Sequence, residues 1–228
     1  MPVSLMPCRG ALPFIKKIET LTYRGDNSRC IYKNRQKFSQ VKTPLQYLFE
    51  MRHDLFATPV WHIEGAPQQL VDELYEKVDI IKKKKDLFDL DDYNKSNQGG
   101  YQTSQFNWQE FHPQGKEYIE KLITDIFTNY LVSISGWWYN INLKGSWNTP
   151  HSHGGSNYAL VWYLTDSNGL LKLMNPLSNR IDNILDKSFN TKKGDILIFP
   201  GDIIHYVMPN TKETDRVCIS MNLQLCGK

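Results

Sequence analysis

The chain has 228 residues, 40% of them hydrophobic, enough to bury one substantial core. Its net charge of +3 hides an asymmetry: residues 1–50 hold nine Lys/Arg against three Asp/Glu, while the rest hold eighteen against twenty-one, so the body is mildly acidic, which argues against a broad nucleic-acid-binding face. Cys8, Cys30, Cys218 and Cys226 show no Cys-x-x-Cys spacing and no apolar run approaches bilayer length, which argues against a zinc knuckle, a disulfide framework or a membrane span and makes a reducing, cytoplasmic setting the expectation.

Residues 1–50 mix Pro, Gly and basic residues with short apolar clusters, and no period persists. They are expected to form a poorly structured basic extension, with the folded domain over 51–228. LFATPVWHIEG predicts an opening strand. Pro67 then sits where a helix can begin, and Leu70, Leu74, Val78 and Ile81 fall at helical spacing before the run Lys82 to Lys85. Those lysines suit the negative end of the helix dipole. A polar connector containing Gly99 and Gly100 follows, and a second helix is predicted after Pro113 with Ile119, Leu122, Ile126 and Tyr130 on its buried face.

Beyond Leu131 the period becomes two. Trp137, Tyr139, Ile141 and Leu143 alternate with Trp138, Asn140 and Asn142, and SNYALVWYLT, GLLKLMNP, DILIFP, HYVMP and RVCISMNLQL all have the length and composition of short strands. Turn signals separate them. Two helices followed by such strands predict a mainly β domain with flanking helices, a sandwich or small barrel, and not a Rossmann-type sheet. The aromatic run Trp137, Trp138, Tyr139 is read as sheet core.

WNTPHSHGGSNYALVWY places His151 and His153 two apart on an extended segment, so both imidazoles would leave one face. GDILIFPGDIIHYV delivers His205, and eleven residues later Arg216 opens RVCISMN, where Arg216, Cys218, Ser220 and Asn222 share one side. His53, His62 and His112 stand alone and are read as surface or hydrogen-bonded residues, and Asp202 as a turn aspartate.

Together these segments resemble the opening and closing halves of the double-stranded β-helix, a jelly-roll or cupin-like barrel, of the iron(II)- and 2-oxoglutarate-dependent oxygenases. The likeness spans roughly residues 55 to 225, and it is strongest to a branch common in viral genomes that also carries a patch like Gly99, Gly100, Tyr101, Gln102 and Thr103. The resemblance implies a dioxygenase that couples oxidative decarboxylation of 2-oxoglutarate to hydroxylation of an unidentified substrate. It implies iron(II) held by His151, His153 and His205, and Arg216 gripping the distal carboxylate of 2-oxoglutarate. Ser220, a hydroxyl from Tyr158 or Tyr163, and Asn142 at the inner carboxylate are the further cosubstrate contacts expected. The family's usual His-x-Asp/Glu pair is here His-x-His, and three neutral imidazoles would leave the metal's double charge intact. The alternative is a cupin-like metal- or ligand-binding barrel without turnover. Gly99 to Ser104 and Leu177 to Ser188 are the expected lid segments, and an oligomer is compatible with the sequence.

Overall fold

A computed structural model describes residues 58–83, 95–103, 111–167, 169–176 and 185–228. The basic extension, His53, most of the proposed lid at 177–188 and residue 104 of the other therefore lie outside the described residues.

The chain runs β1 (Trp61–Ile63), α1 (Gln68–Lys83), β2 (Asn97–Gln98), β3 (Tyr101–Gln102), α2 (Pro113–Ile126), β4 (Tyr130–Asn142), β5 (Trp147–His151), β6 (Tyr158–Tyr163), β7 (Leu171–Met174), β8 (Asp186–Ser188), β9 (Ile196–Pro200), β10 (His205–Val207) and β11 (Arg216–Gly227). Two antiparallel sheets result. One has the order β1-β9-β6-β11-β4-β3 and the other β2-β5-β10-β7-β8, the facing sheets of a double-stranded β-helix.

Each helix begins as its sequence dictates. Pro113 occupies the first turn of α2, where its missing N–H costs nothing, and the His112 side chain accepts a hydrogen bond from the Gly115 amide. Val71, Leu74, Val78 and Ile81 are the buried face of α1; Leu70 is only partly buried. In α2, Gly115, Ile119 and Ile123 are buried while Leu122 and Ile126 pack half-exposed. Tyr130 is not on that helix, because α2 stops at Ile126 and Tyr130 opens β4, exposed.

The two-residue period of the strands divides the core in two. On β11, Val217, Ile219, Met221 and Leu223 face the helices, as do Trp137, Tyr139 and Ile141 of β4 and Leu160 and Trp162 of β6. The opposite parity, with Ala159, Val161, Tyr163, Leu197, Phe199, Leu171, Leu173 and Val207, fills the space between the sheets. Tyr139 anchors the first layer by donating its hydroxyl to the Leu74 carbonyl at 3.0 Å. The Gly99–Gly100 patch belongs to a corner: β2 pairs with β5 of one sheet, β3 with β4 of the other. A Cβ on Gly100 would lie 2.3 Å from the Ile141 carbonyl oxygen, so only glycine lets the chain turn there. The described part of this expected lid is thus a seam between the sheets.

No helix among the described residues is long and apolar enough to cross a membrane.

Candidate metal centre

His151 ends β5 and His205 begins β10, and antiparallel pairing sets their Cα atoms opposite one another. Directly opposed residues project to the same face, and the two rings lie 4.3 Å apart by their centroids. His153 arrives differently. The sequence predicted both histidines on one extended strand, but β5 stops at His151, and His153 stands two residues beyond it. The backbone holds it there: the His153 amide donates to the Gly201 carbonyl at 2.7 Å, and the Ser156 amide closes a turn onto the His153 carbonyl. Its ring still reaches the pair, with centroids 5.0 Å from His205 and 5.5 Å from His151.

The three imidazoles are oriented by their partners. Nδ1 of His151 donates to the Thr149 carbonyl at 2.7 Å, Nδ1 of His205 to the Ile203 carbonyl at 2.9 Å, and Nδ1 of His153 to Oδ1 of Asn222. A backbone carbonyl can only accept, so His151 and His205 carry their protons on Nδ1 and leave the Nε2 lone pair free, and the Asn222 amide, with its oxygen toward His153, sets that ring in the same sense. The ligand nitrogens all lie within 4.8 Å of one another. Burial pushes the pKa of all three below the ordinary histidine value, that of His205 to about 3 with His151 adding to the effect, so each is neutral near pH 7. Three converging lone pairs without protons fit a divalent transition ion. Trp138 completes the surroundings by stacking on His153, centroids 5.5 Å apart and planes 26° from parallel.

Arg216 lines the same cavity as the three histidines and is 3% exposed. Its Nη1 donates to Oδ1 of Asn142 at 2.9 Å, its guanidinium lies 5.4 Å from the Tyr163 ring centroid, and Nε has no hydrogen-bond partner. No acidic side chain among the described residues pairs with it. A buried guanidinium without a carboxylate is costly on its own and suited to an anionic ligand. The hydroxyls of Tyr163 and Thr191 lie close by, buried and without a hydrogen bond of normal geometry. Burial raises the Tyr163 pKa. The free space between these side chains is little more than one water molecule occupies, so seating a five-carbon diacid requires lining side chains to turn aside.

Two expected cosubstrate contacts are placed elsewhere. Tyr158 lies five residues from Tyr163, and an odd spacing on a strand reverses the face; its ring packs instead on Trp61 and Phe127 among the helices, at 5.4 and 4.9 Å. Asn142 stands behind Arg216, fully buried, with Oδ1 taken by that guanidinium and Nδ2 by Asn148. Tyr163 and Ser220 do face the cavity side of the sheet. Sequence reasoning missed Trp138, Asn140 and Asn148 as cavity residues, although Trp138 and Asn140 share the parity of Asn142. His62 and His112 are hydrogen-bonded to Asp195 and Glu73, and Asp202 is an exposed turn residue.

Residues 182–222 match the family model described as "Putative 2OG-Fe(II) oxygenase". A search of curated protein sequences finds no match. Among solved structures the fold is similar to AviO1 from Streptomyces viridochromogenes, with a TM-score of 0.55, 14% identity, and coverage of 72% of this chain and 89% of that one. It is similar to HygX from Streptomyces hygroscopicus, solved with nickel and 2-oxoglutarate bound (0.53, 12%, 81% and 87%). A viral collagen prolyl hydroxylase from Paramecium Bursaria Chlorella virus-1, solved as its 2OG complex, gives 0.51 and 15% identity over 72% and 94%.

Proposed function

We propose that this chain, a member of the 2OG-Fe(II) oxygenase superfamily, is an iron(II)- and 2-oxoglutarate-dependent dioxygenase in which His151, His153 and His205 hold the metal and Arg216 grips the far carboxylate of the diacid. The observation that carries the assignment of roles is the pairing, on the walls of one cavity, of three neutral imidazoles with free Nε2 atoms and a buried guanidinium without an acidic partner. Iron(II) bound there would activate dioxygen, so that oxidative decarboxylation of 2-oxoglutarate drives hydroxylation of a substrate carbon.

The chain's own residues supply position and environment. The carbonyls of Thr149 and Ile203 and the amide oxygen of Asn222 fix the ring orientations, so no rotamer search precedes metal binding. Arg216 offers a planar fork for a carboxylate, held from behind by Asn142 and over the Tyr163 ring. Apolar side chains between the sheets, including Val161, Leu171 and Val207, line the cavity and limit bulk water. With His153 in place of the usual carboxylate, the donors add no negative charge, so the bound ion keeps its full double charge towards anionic ligands. The Gly99–Thr103 patch supports a place in the branch common in viral genomes.

The test is succinate release on adding iron(II), ascorbate and 2-oxoglutarate. Succinate above the metal-free blank, reduced at least about 100-fold in Arg216→Ala, is the expected result. Tight iron binding without consumption of 2-oxoglutarate would overturn it in favour of a cupin-like barrel that binds metal without turnover.

A further inference from the structure

Arg216 opens a line of buried amides that crosses from one sheet to the other and returns. Its Nη1 donates to Oδ1 of Asn142; Nδ2 of Asn142 donates to Oδ1 of Asn148 at 3.0 Å; Nδ2 of Asn148 reaches Oδ1 of Asn140 at 3.5 Å and Oγ of Ser96 at 3.0 Å; and Nδ2 of Asn140 donates to Oγ of Ser220 at 3.0 Å. All four side chains from Asn142 to Ser220 are at least nine-tenths buried. An isolated amide can flip, exchanging donor and acceptor. This line cannot, because a guanidinium only donates. Asn142 must present its oxygen to Arg216, so its NH2 faces Asn148, which must answer with oxygen; the same logic passes to Asn140 and ends at Ser220, whose oxygen must accept. The Ser220 proton is left over. Among the described residues no acceptor takes it, and Ser220 lines the cavity on the β11 face between Arg216 and Asn222, the residue that holds His153.

We propose that Asn148, among the described residues the one link between the Asn142 and Asn140 side chains, is a positioning residue that makes the Ser220 hydroxyl a fixed donor into the space between Arg216 and the histidines. The ligand that site takes is an oxygen acceptor, and on the oxygenase reading, on which this inference rests, it is a carboxylate or oxo oxygen of 2-oxoglutarate. Asn148 touches no ligand itself. It acts by setting the sense of the Asn140 amide and so of the Ser220 proton. The line also ties β5, which carries His151, to β4 and β11, which carry the Arg216 end.

The experiment is a thermodynamic cycle on the full chain loaded anaerobically with iron(II), reading the dissociation constant of 2-oxoglutarate by calorimetry in wild type, Ser220→Ala, Asn148→Leu and the double variant. Ser220→Ala should weaken 2-oxoglutarate about tenfold with iron affinity unchanged. Asn148→Leu should weaken it by a similar factor, and the double variant should be no weaker than the weaker single, because the second change acts through a proton already removed. Unchanged affinity in Ser220→Ala, or losses that multiply in the double variant, would overturn the inference, and Ser220→Ala decides it alone if Asn148→Leu does not fold. Absence of 2-oxoglutarate binding in iron-loaded wild type would instead overturn the oxygenase reading itself.

Discussion

At the scale of single residues, Asn222 and Tyr163 carry the sharpest expectations. Asn222 is partly exposed and holds the Nδ1 proton of His153. Asn222→Leu removes that acceptor and frees the ring to rotate, so iron(II) affinity, measured by chelator competition, should fall about 10- to 100-fold with the fold retained. Two buried tyrosines should respond oppositely to loss of their hydroxyl. Tyr139→Phe deletes a bond to the Leu74 carbonyl and leaves that oxygen unpaired, which should cost about 1–2 kcal/mol in chemical denaturation. Tyr163→Phe deletes an oxygen without a bond of normal geometry and should leave the ligand-free protein as stable or more so. Parity explains why, of the two tyrosines, Tyr163 faces the cavity side of the sheet and Tyr158 does not. Tyr158 and Tyr163 cannot share a face of one strand, and that could have been decided from their spacing alone. Trp138 is open to the same reasoning, since it alternates with Trp137 and Tyr139, but an unbroken run of three aromatics hides which of them changes face.

At the scale of elements, the turn that follows β9 governs the third histidine. A Cβ on Gly201 would lie 2.4 Å from the Ser156 carbonyl oxygen and 3.3 Å from that of His153. The backbone there cannot yield without shifting the His153 turn. Gly201→Ala should therefore lower iron(II) affinity at least about tenfold in the same competition assay, beyond any loss of stability, whereas Gly227→Ala, whose added Cβ meets nothing within 4 Å, should leave metal affinity unchanged. The helices and long strands were legible because their periods persist. Leu74, Val78 and Ile81 fix the buried face of α1, and β4 and β11 alternate over many residues. The paired strands β2 and β3 were not, because two residues make no period and their Gly-Gly corner looks like any loop. The exit of His153 from β5 was likewise hidden. What bends the chain there is a hydrogen bond to Gly201, 48 positions away, and only the folded backbone brings it near.

At the scale of the whole molecule, burying three neutral imidazoles between two sheets makes the metal-free fold sensitive to acid. The folded-state pKa of His205 is depressed, from about 6.5 to about 3. The unfolded chain therefore binds a proton first as pH falls, so stability is full above about pH 6.5 and is lost progressively towards pH 3. A shift of that size is on the order of 5 kcal/mol. Denaturation midpoints of the metal-free protein should fall between pH 7 and pH 4.5, and less steeply in His205→Leu; equal slopes in the two would show that His205 is not the group whose protonation unfolds the chain. The candidate metal set was legible because its segments resemble a known family; register alone explains His151 opposite His205, whereas His153 joins them from beyond the end of β5. The network behind Arg216 was not, since its members come from β4, β5 and β11 and only their packing makes them a line. Whether the three imidazoles and the guanidinium hold iron and diacid together is decided by a crystal structure of the protein soaked anaerobically with iron(II) and 2-oxoglutarate. Iron on the three Nε2 atoms, with the diacid reaching from the metal to Arg216, is the predicted result. Iron bound elsewhere, or a diacid that does not touch Arg216, would contradict it.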